Sequence, residues 1–118
     1  MSQITTHVLN TATGTAAVGV KIVLYVEAGK LADNETNWQK LKDAETDADG
    51  RVLSLLSSEE LLVPGNYKLK FETQTYFSRL KVESFFPYVE IVFSVTDASH
   101  YHVPLLISPF GYSTYRGS

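Results

Sequence analysis

Val20-Lys21-Ile22-Val23-Leu24-Tyr25-Val26-Glu27 alternates with period two: Val20, Ile22, Leu24 and Val26 fall on one face, Lys21, Val23, Tyr25 and Glu27 on the other. Successive side chains of a strand point to opposite sides, so this stretch predicts a strand with one buried face. The pattern recurs along the chain. Tyr67, Leu69 and Phe71 alternate with Lys68, Lys70 and Glu72, and Val89, Ile91, Phe93 and Val95 with Glu90, Val92 and Ser94. Further on, Tyr101, Val103, Leu105 and Ile107 alternate with His100, His102, Pro104, Leu106 and Ser108. Weaker strand signals occupy residues 4–9, 38–42 and 51–55. Turn formers separate the runs: residues 10–14, Ala28-Gly29, Asp47-Ala48-Asp49-Gly50 and Pro64-Gly65-Asn66. Seven or eight short strands so spaced predict an all-β fold, an antiparallel sandwich. Residues 73–82 place Tyr76, Phe77, Leu80 and Val82 nearer to helical spacing, which predicts one short helix; residues 57–62 are a weaker candidate for a helical turn. Residues 31–37 read as a polar loop.

Composition bounds what such a sandwich can do. At 118 residues and 13.1 kDa the chain is read as one domain, 1–118, with enough length for a real core. Thirteen acidic against ten basic residues give a net charge of −3, against the electrostatic footprint of a nucleic-acid binder. The absence of cysteine excludes disulfides, thiolate catalysis and cysteine-bound metal. No apolar run approaches the roughly 20 residues of a membrane span. MSQITTHVLN has neither a basic nor an apolar signal region, so a cytoplasmic protein without membrane association is expected. Val92 and Leu106, apolar residues on outward faces, predict assembly of several copies.

Few groups remain that could do chemistry. The chain holds three histidines, His7, His100 and His102. The last two stand at i and i+2 on one strand, so their rings share a face about 6–7 Å apart. Imidazole titrates near neutrality, so the pair suits proton transfer; two polar side chains on a solvated face is the plainer reading. Three imidazoles could also hold zinc with an open position. Arg51 follows Asp49-Gly50 and can offer a planar fork of donors to carbonyl or carboxylate oxygens, or simply pair with Asp49 or Glu45. The segment Tyr112-Ser113-Thr114-Tyr115-Arg116-Gly117-Ser118 has more recognition chemistry than a frayed end requires, and by pattern alone could be an adhesion tail or a strand swapped between subunits. Phosphate loops, nucleophile elbows and Schiff-base signatures are missing.

Several of these segments, in order, resemble one family. Thr6-His7-Val8-Leu9, Asp49-Gly50-Arg51, His100-Tyr101-His102-Val103-Pro104-Leu105-Leu106, Ser108-Pro109 and the closing Tyr-Arg-Gly-Ser look like 5-hydroxyisourate hydrolase, the transthyretin-related enzymes of urate breakdown. The resemblance covers nearly the whole chain, and Tyr-Arg-Gly-Ser is its most specific mark. It implies a transthyretin-like (prealbumin-like) sandwich of seven to eight strands with one short helix. It also implies a homotetramer with active sites in a central channel between subunits. The implied activity is hydrolysis of the lactam of 5-hydroxyisourate to 2-oxo-4-hydroxy-4-carboxy-5-ureidoimidazoline. Carried over residue by residue, His7, Arg51, His102 and Ser118 are catalytic candidates, and His7, Arg51, His100, Tyr115, Arg116 and Gly117 are substrate-binding candidates. In this reading the histidines handle water and its proton, Arg51 holds carbonyl oxygens, and Tyr115 and Ser118 position the planar substrate, with pairing of the tail across subunits the other reading of Arg116. No cofactor is expected; zinc could occupy the histidines without being required. Asn10 stands where the family commonly has Asp, and Ala16 where it has Pro, both beside the site motifs. The competing readings are a transthyretin-like carrier without catalysis and a structural or adhesion sandwich. Transthyretins, as a family, lack the His-x-His and the Tyr-Arg-Gly-Ser tail.

Overall fold

Each period-two stretch becomes a strand in the computed structural model, which describes residues 2–118. In chain order the elements are β1 (Ile4–Asn10), β2 (Thr15–Ala16), β3 (Lys21–Lys30), β4 (Thr36–Glu45), β5 (Arg51–Val52), β6 (Gly65–Phe71), α1 (Thr73–Arg79), β7 (Val89–Val95), β8 (Tyr101–Ser108) and β9 (Gly111–Thr114). Two sheets result. One has the order β4-β3-β6-β7; the other has the order β2-β1-β8-β9, with the short β5 also paired to β1. All pairings are antiparallel except β1 with β8, which run parallel in register from Ile4↔Tyr101 to Asn10↔Ile107. A parallel pair needs a crossover rather than a tight turn, and nearly the whole chain lies between these two strands. The expected sandwich is therefore present, with one parallel seam in its second sheet.

The apolar faces meet between the sheets. Ile22, Leu24, Tyr67, Leu69, Phe71, Val89 and Val95 pack against Ile4, Val8, Tyr101, Val103, Leu105 and Ile107, all buried. Each large side chain so placed contributes about 1.5–3 kcal/mol of transfer free energy. Two polar residues of β1 share this interior because their hydrogen bonds are met. Thr6 Oγ1 donates to the Val103 carbonyl at 2.6 Å. Asn10 Nδ2 donates to Tyr76 Oη at 3.2 Å while its Oδ1 accepts from the Ala12 amide at 3.0 Å, tying β1 to α1 and to the following turn.

The structure departs from the sequence pattern at four places. Helix α1 buries Thr73, Tyr76 and Phe77 and stops at Arg79; the chain then passes through Lys81 at φ 58°, leaving Leu80 and Val82 exposed rather than in the core. Residues 57–62 form no helix: Ser57 and Glu60 close a single turn, with Glu60 Oε1 accepting from the Ser57 amide at 2.9 Å. The strand expected at 51–55 keeps two residues, Arg51–Val52, and then Leu55 and Leu56 drop into the core. The first part of the tail does not fray: within the chain β9 forms a hairpin with β8, Ser108↔Gly111 to Leu105↔Thr114. Among the described residues no helix is long and apolar enough to cross a membrane.

The two outer faces differ in kind. On the β4-β3-β6-β7 sheet, Lys68 Nζ sits 4.9 Å from the Tyr25 ring and 4.8 Å from the Trp38 ring and pairs with Glu90 at 2.9 Å. Cross-strand partners thus occupy the charges there. The outer face of the other sheet is where the histidines lie.

Candidate active site

Register alone assembles the candidate residues. On β1, Thr5 and His7 are two apart and point outward while Ile4, Thr6 and Val8 point into the core. Thr5 pairs with His102 of β8, and His7 pairs with Arg51 of β5 on one side and Pro104 of β8 on the other. Directly paired residues share a face, so Arg51, His7, Thr5 and His102 stand on one outer surface, and His100 joins them two residues before His102.

Arg51 is put there by a turn. Asp47 Oδ1 accepts from the backbone amides of Asp49 at 2.9 Å and Arg51 at 3.0 Å, an Asx-type closure. These hydrogen bonds, the Arg51 amide first, hold the Asp47 carboxyl below its ordinary pKa. Gly50 completes the turn at φ +74°, and its carbonyl accepts from the Val8 amide at 2.7 Å, which locks the turn onto β1. Among the described residues the Arg51 guanidinium has no ion-pair partner, so the expected surface pairing with Asp49 or Glu45 does not form. An exposed, unpaired guanidinium beside a histidine is free to bind oxygen ligands.

The histidine pair is joined by a residue that sequence reasoning missed. The rings of His100 and His102 stack with centroids 6.3 Å apart, inside the separation expected from strand spacing. Between them lies Thr5 Oγ1, 2.8 Å from His100 Nε2 and 2.8 Å from His102 Nδ1. Thr5 is on an outer face yet only 2% exposed, because the two rings lie over it. The signal was available, a threonine two residues before His7, but it means nothing until the parallel register with β8 is known. Burial lowers the His102 pKa below the ordinary imidazole value, and the positive potential of His100, His7 and Arg51 acts in the same direction. Both effects favour the neutral ring, the form that can accept a proton.

The tail divides. Gly117 bridges to His102, its amide donating to the His102 carbonyl at 2.8 Å. Tyr115 and Arg116 turn elsewhere, into a cleft of about 350 Å³ between the sheet edges lined by Ile91, Phe93, Tyr101 and Val103. There the Arg116 guanidinium lies 4.3 Å from the Tyr101 ring centroid and reaches the His100 carbonyl at 3.3 Å. Within one chain Arg116 is thus a brace behind the histidines. Ser118 is exposed, one residue beyond the bridge. A β-carbon on Gly117 would stand 2.5 Å from His102 Cδ2 and 3.2 Å from Pro104 Cγ, closer than atoms tolerate. Gly117→Ala is therefore expected to displace the His102 ring and break its contact with Thr5, read as a change in the His102 imidazole ¹⁵N shifts with the core signals unmoved. Unchanged His102 shifts would show that the tail does not set the ring's position.

Chemically, the surface offers an imidazole base, a second imidazole at His7 and a guanidinium, with no thiol. Among the described residues no three His, Asp or Glu side chains converge as metal ligands, and Thr5 occupies one nitrogen each of His100 and His102. The three histidines therefore do not converge as a zinc site. The five groups lie on an open sheet face.

A model of the HIUase/Transthyretin family matches residues 4–117. The chain is 44% identical over 118 residues to the 5-hydroxyisourate hydrolase of Mus musculus, covering 99% of this chain and 96% of that one. It superposes on the structure of Klebsiella pneumoniae 5-hydroxyisourate hydrolase with TM-score 0.80 at 39% identity, covering 98% of each chain. It also superposes on sea bream transthyretin in complex with thyroxine, with TM-score 0.85 at 27% identity over 98% of this chain and 95% of that one.

Proposed function

This chain belongs to the HIUase/transthyretin family, and from that membership and its histidine-bearing face we propose that it hydrolyses 5-hydroxyisourate, opening the lactam to 2-oxo-4-hydroxy-4-carboxy-5-ureidoimidazoline. The observation that carries the reading is the convergence of His7, Arg51 and His102 on one face with Gly117 closed against His102. A proton-accepting imidazole beside an unpaired guanidinium supplies the base and the oxyanion stabiliser that amide hydrolysis calls on.

In the proposed reaction His102 takes a proton from water as its oxygen bonds to the lactam carbonyl carbon. Arg51 donates to the carbonyl oxygen and stabilises the charge that develops there. The C–N bond then breaks, and the proton is returned to the leaving nitrogen by an imidazolium. His7, paired in register with Arg51, holds the water or the ring oxygens. Because the face is open in a single chain, a second copy is needed to wall the substrate in; this favours a homotetramer with shared sites, in which Tyr115 and Ser118 complete the pocket. A cytoplasmic site of action belongs to the same reading.

The test is spectroscopic. With 5-hydroxyisourate generated from urate by urate oxidase, the protein is expected to accelerate the loss of the substrate's ultraviolet band well beyond spontaneous decay, also in the presence of a chelator. A folded protein that leaves the decay unchanged would return the chain to the carrier reading.

A further inference from the structure

We infer that Thr5 is a positioning residue whose hydroxyl links His100 to His102 as one proton-sharing unit, which sets the tautomer of His102 and makes His100 the outer terminus of a relay. The inference deepens the hydrolase reading and rests on it for its kinetic consequence. Its structural basis stands independently: one hydroxyl, 2% exposed, lies at 2.8 Å from a ring nitrogen of each histidine. A hydroxyl has one hydrogen to give and lone pairs to accept with. With both rings neutral, the bridge is complete when one ring donates N–H to Oγ1 and Oγ1–H donates to the other. If His102 Nδ1–H donates, His102 Nε2 is bare and can act as base, while His100 Nε2 accepts from Thr5. If the hydroxyl turns round, His102 Nδ1 accepts and its Nε2 carries the hydrogen instead. Thr5 thus ties the two rings to the same tautomer: hydrogen on Nδ1 of both in the first arrangement, on Nε2 of both in the second.

The same bridge moves charge. A proton taken by His102 Nε2 makes that ring a cation; its Nδ1 proton passes to Oγ1 as the Oγ1 proton passes to His100 Nε2. His102 is left neutral with hydrogen on Nε2, and the positive charge rests on His100, which is half-buried. Reversal returns the proton to His102 for the leaving nitrogen. No atom other than hydrogen moves. Burial of His102, with the positive potential of His100, His7 of β1 and Arg51 of β5, disfavours charge resting on that ring.

The test compares Thr5→Val, which removes the hydroxyl and keeps the branched shape, with Thr5→Ser, which keeps the hydroxyl. Imidazole ¹⁵N spectra without substrate are expected to show the same tautomer for His100 and His102 in the unaltered protein, and titrations in which protonation of one ring shifts the nitrogens of the other. Thr5→Val is expected to mix the His102 tautomers and uncouple the titrations. It should lower kcat on the order of 10- to 100-fold, as for outer partners that orient a metal-bound imidazole, with KM changed far less and the acidic limb of the pH profile moved. Thr5→Ser should recover most of the loss. Independent titration of the two histidines in the unaltered protein, or equal losses in the valine and serine variants, would overturn the inference. Absence of turnover in the unaltered protein would overturn the hydrolase reading while leaving the spectra to decide the bridge.

Discussion

His102→Gln, which keeps hydrogen-bonding capacity and removes the titrating ring, is expected to lower kcat on 5-hydroxyisourate by about 10²–10⁴, the range contributed by a positioned general base. The size follows from the role: the base makes an interaction that exists only as water attacks, so the loss falls on kcat more than on KM. Arg51→Ala should differ in kind, raising KM as well, because the guanidinium also binds carbonyl oxygens before reaction. The pH dependence has a definite sign. Burial and the charges of His100, His7 and Arg51 lower the His102 pKa, so the neutral, active form persists into more acidic solution than a free imidazole would allow. kcat/KM should therefore stay level through neutrality and fall on the acidic side as pH drops through that lowered pKa. His102→Gln should lose this limb. A variant that keeps full turnover, or keeps the limb, would remove His102 from the proton transfer.

Gly50→Ala is expected to be the most damaging small substitution for folding. At φ +74° a β-carbon adds about 1–3 kcal/mol of backbone strain. It would also stand 2.5 Å from the Val8 carbonyl oxygen and 3.1 Å from Ala16 Cβ, and neither can swing aside as a flexible side chain would. Relieving such a contact costs about a further 1–3 kcal/mol, as in overpacked cores. The midpoint of urea unfolding should fall accordingly. Turnover should fall in the protein that remains folded, because the turn that shifts carries Arg51 on its next residue. An alanine variant with the original midpoint and turnover would show that the turn does not fix the guanidinium.

How much could be read beforehand differs residue by residue. The stretch at 100–108 was legible because its inward positions are all apolar and its outward ones include both histidines, so period two gave face and spacing together. His7 and Arg51 were legible as groups but not as neighbours: their pairing depends on a strand of two residues, too short for any periodicity. Thr5 was invisible because its meaning lies in hydrogen bonds to residues 95 and 97 positions away. Leu80 and Val82 misled in the opposite sense, extending a helical pattern past the point where Lys81 turns the backbone left-handed. Arg116 and Tyr115 share the motif of Gly117 but not its location, since the tail sends them into the edge cleft instead.

The parallel seam between β1 and β8 has a consequence in time as well as in space. Contacts between distant parts of a chain form late, because the loop must close before they return any stabilisation. Thr5 and His102 belong to that late class, while the β3–β4 hairpin can close early and locally. A chain emerging from a ribosome would carry Thr5 and His7 idle until the strand bearing His102, more than 90 residues later, arrived to lie beside them. Catalytic competence then waits on β8: a nascent chain without it, or one clipped ahead of it, could own a well-formed β4-β3-β6-β7 sheet and still have no His102 to offer a substrate.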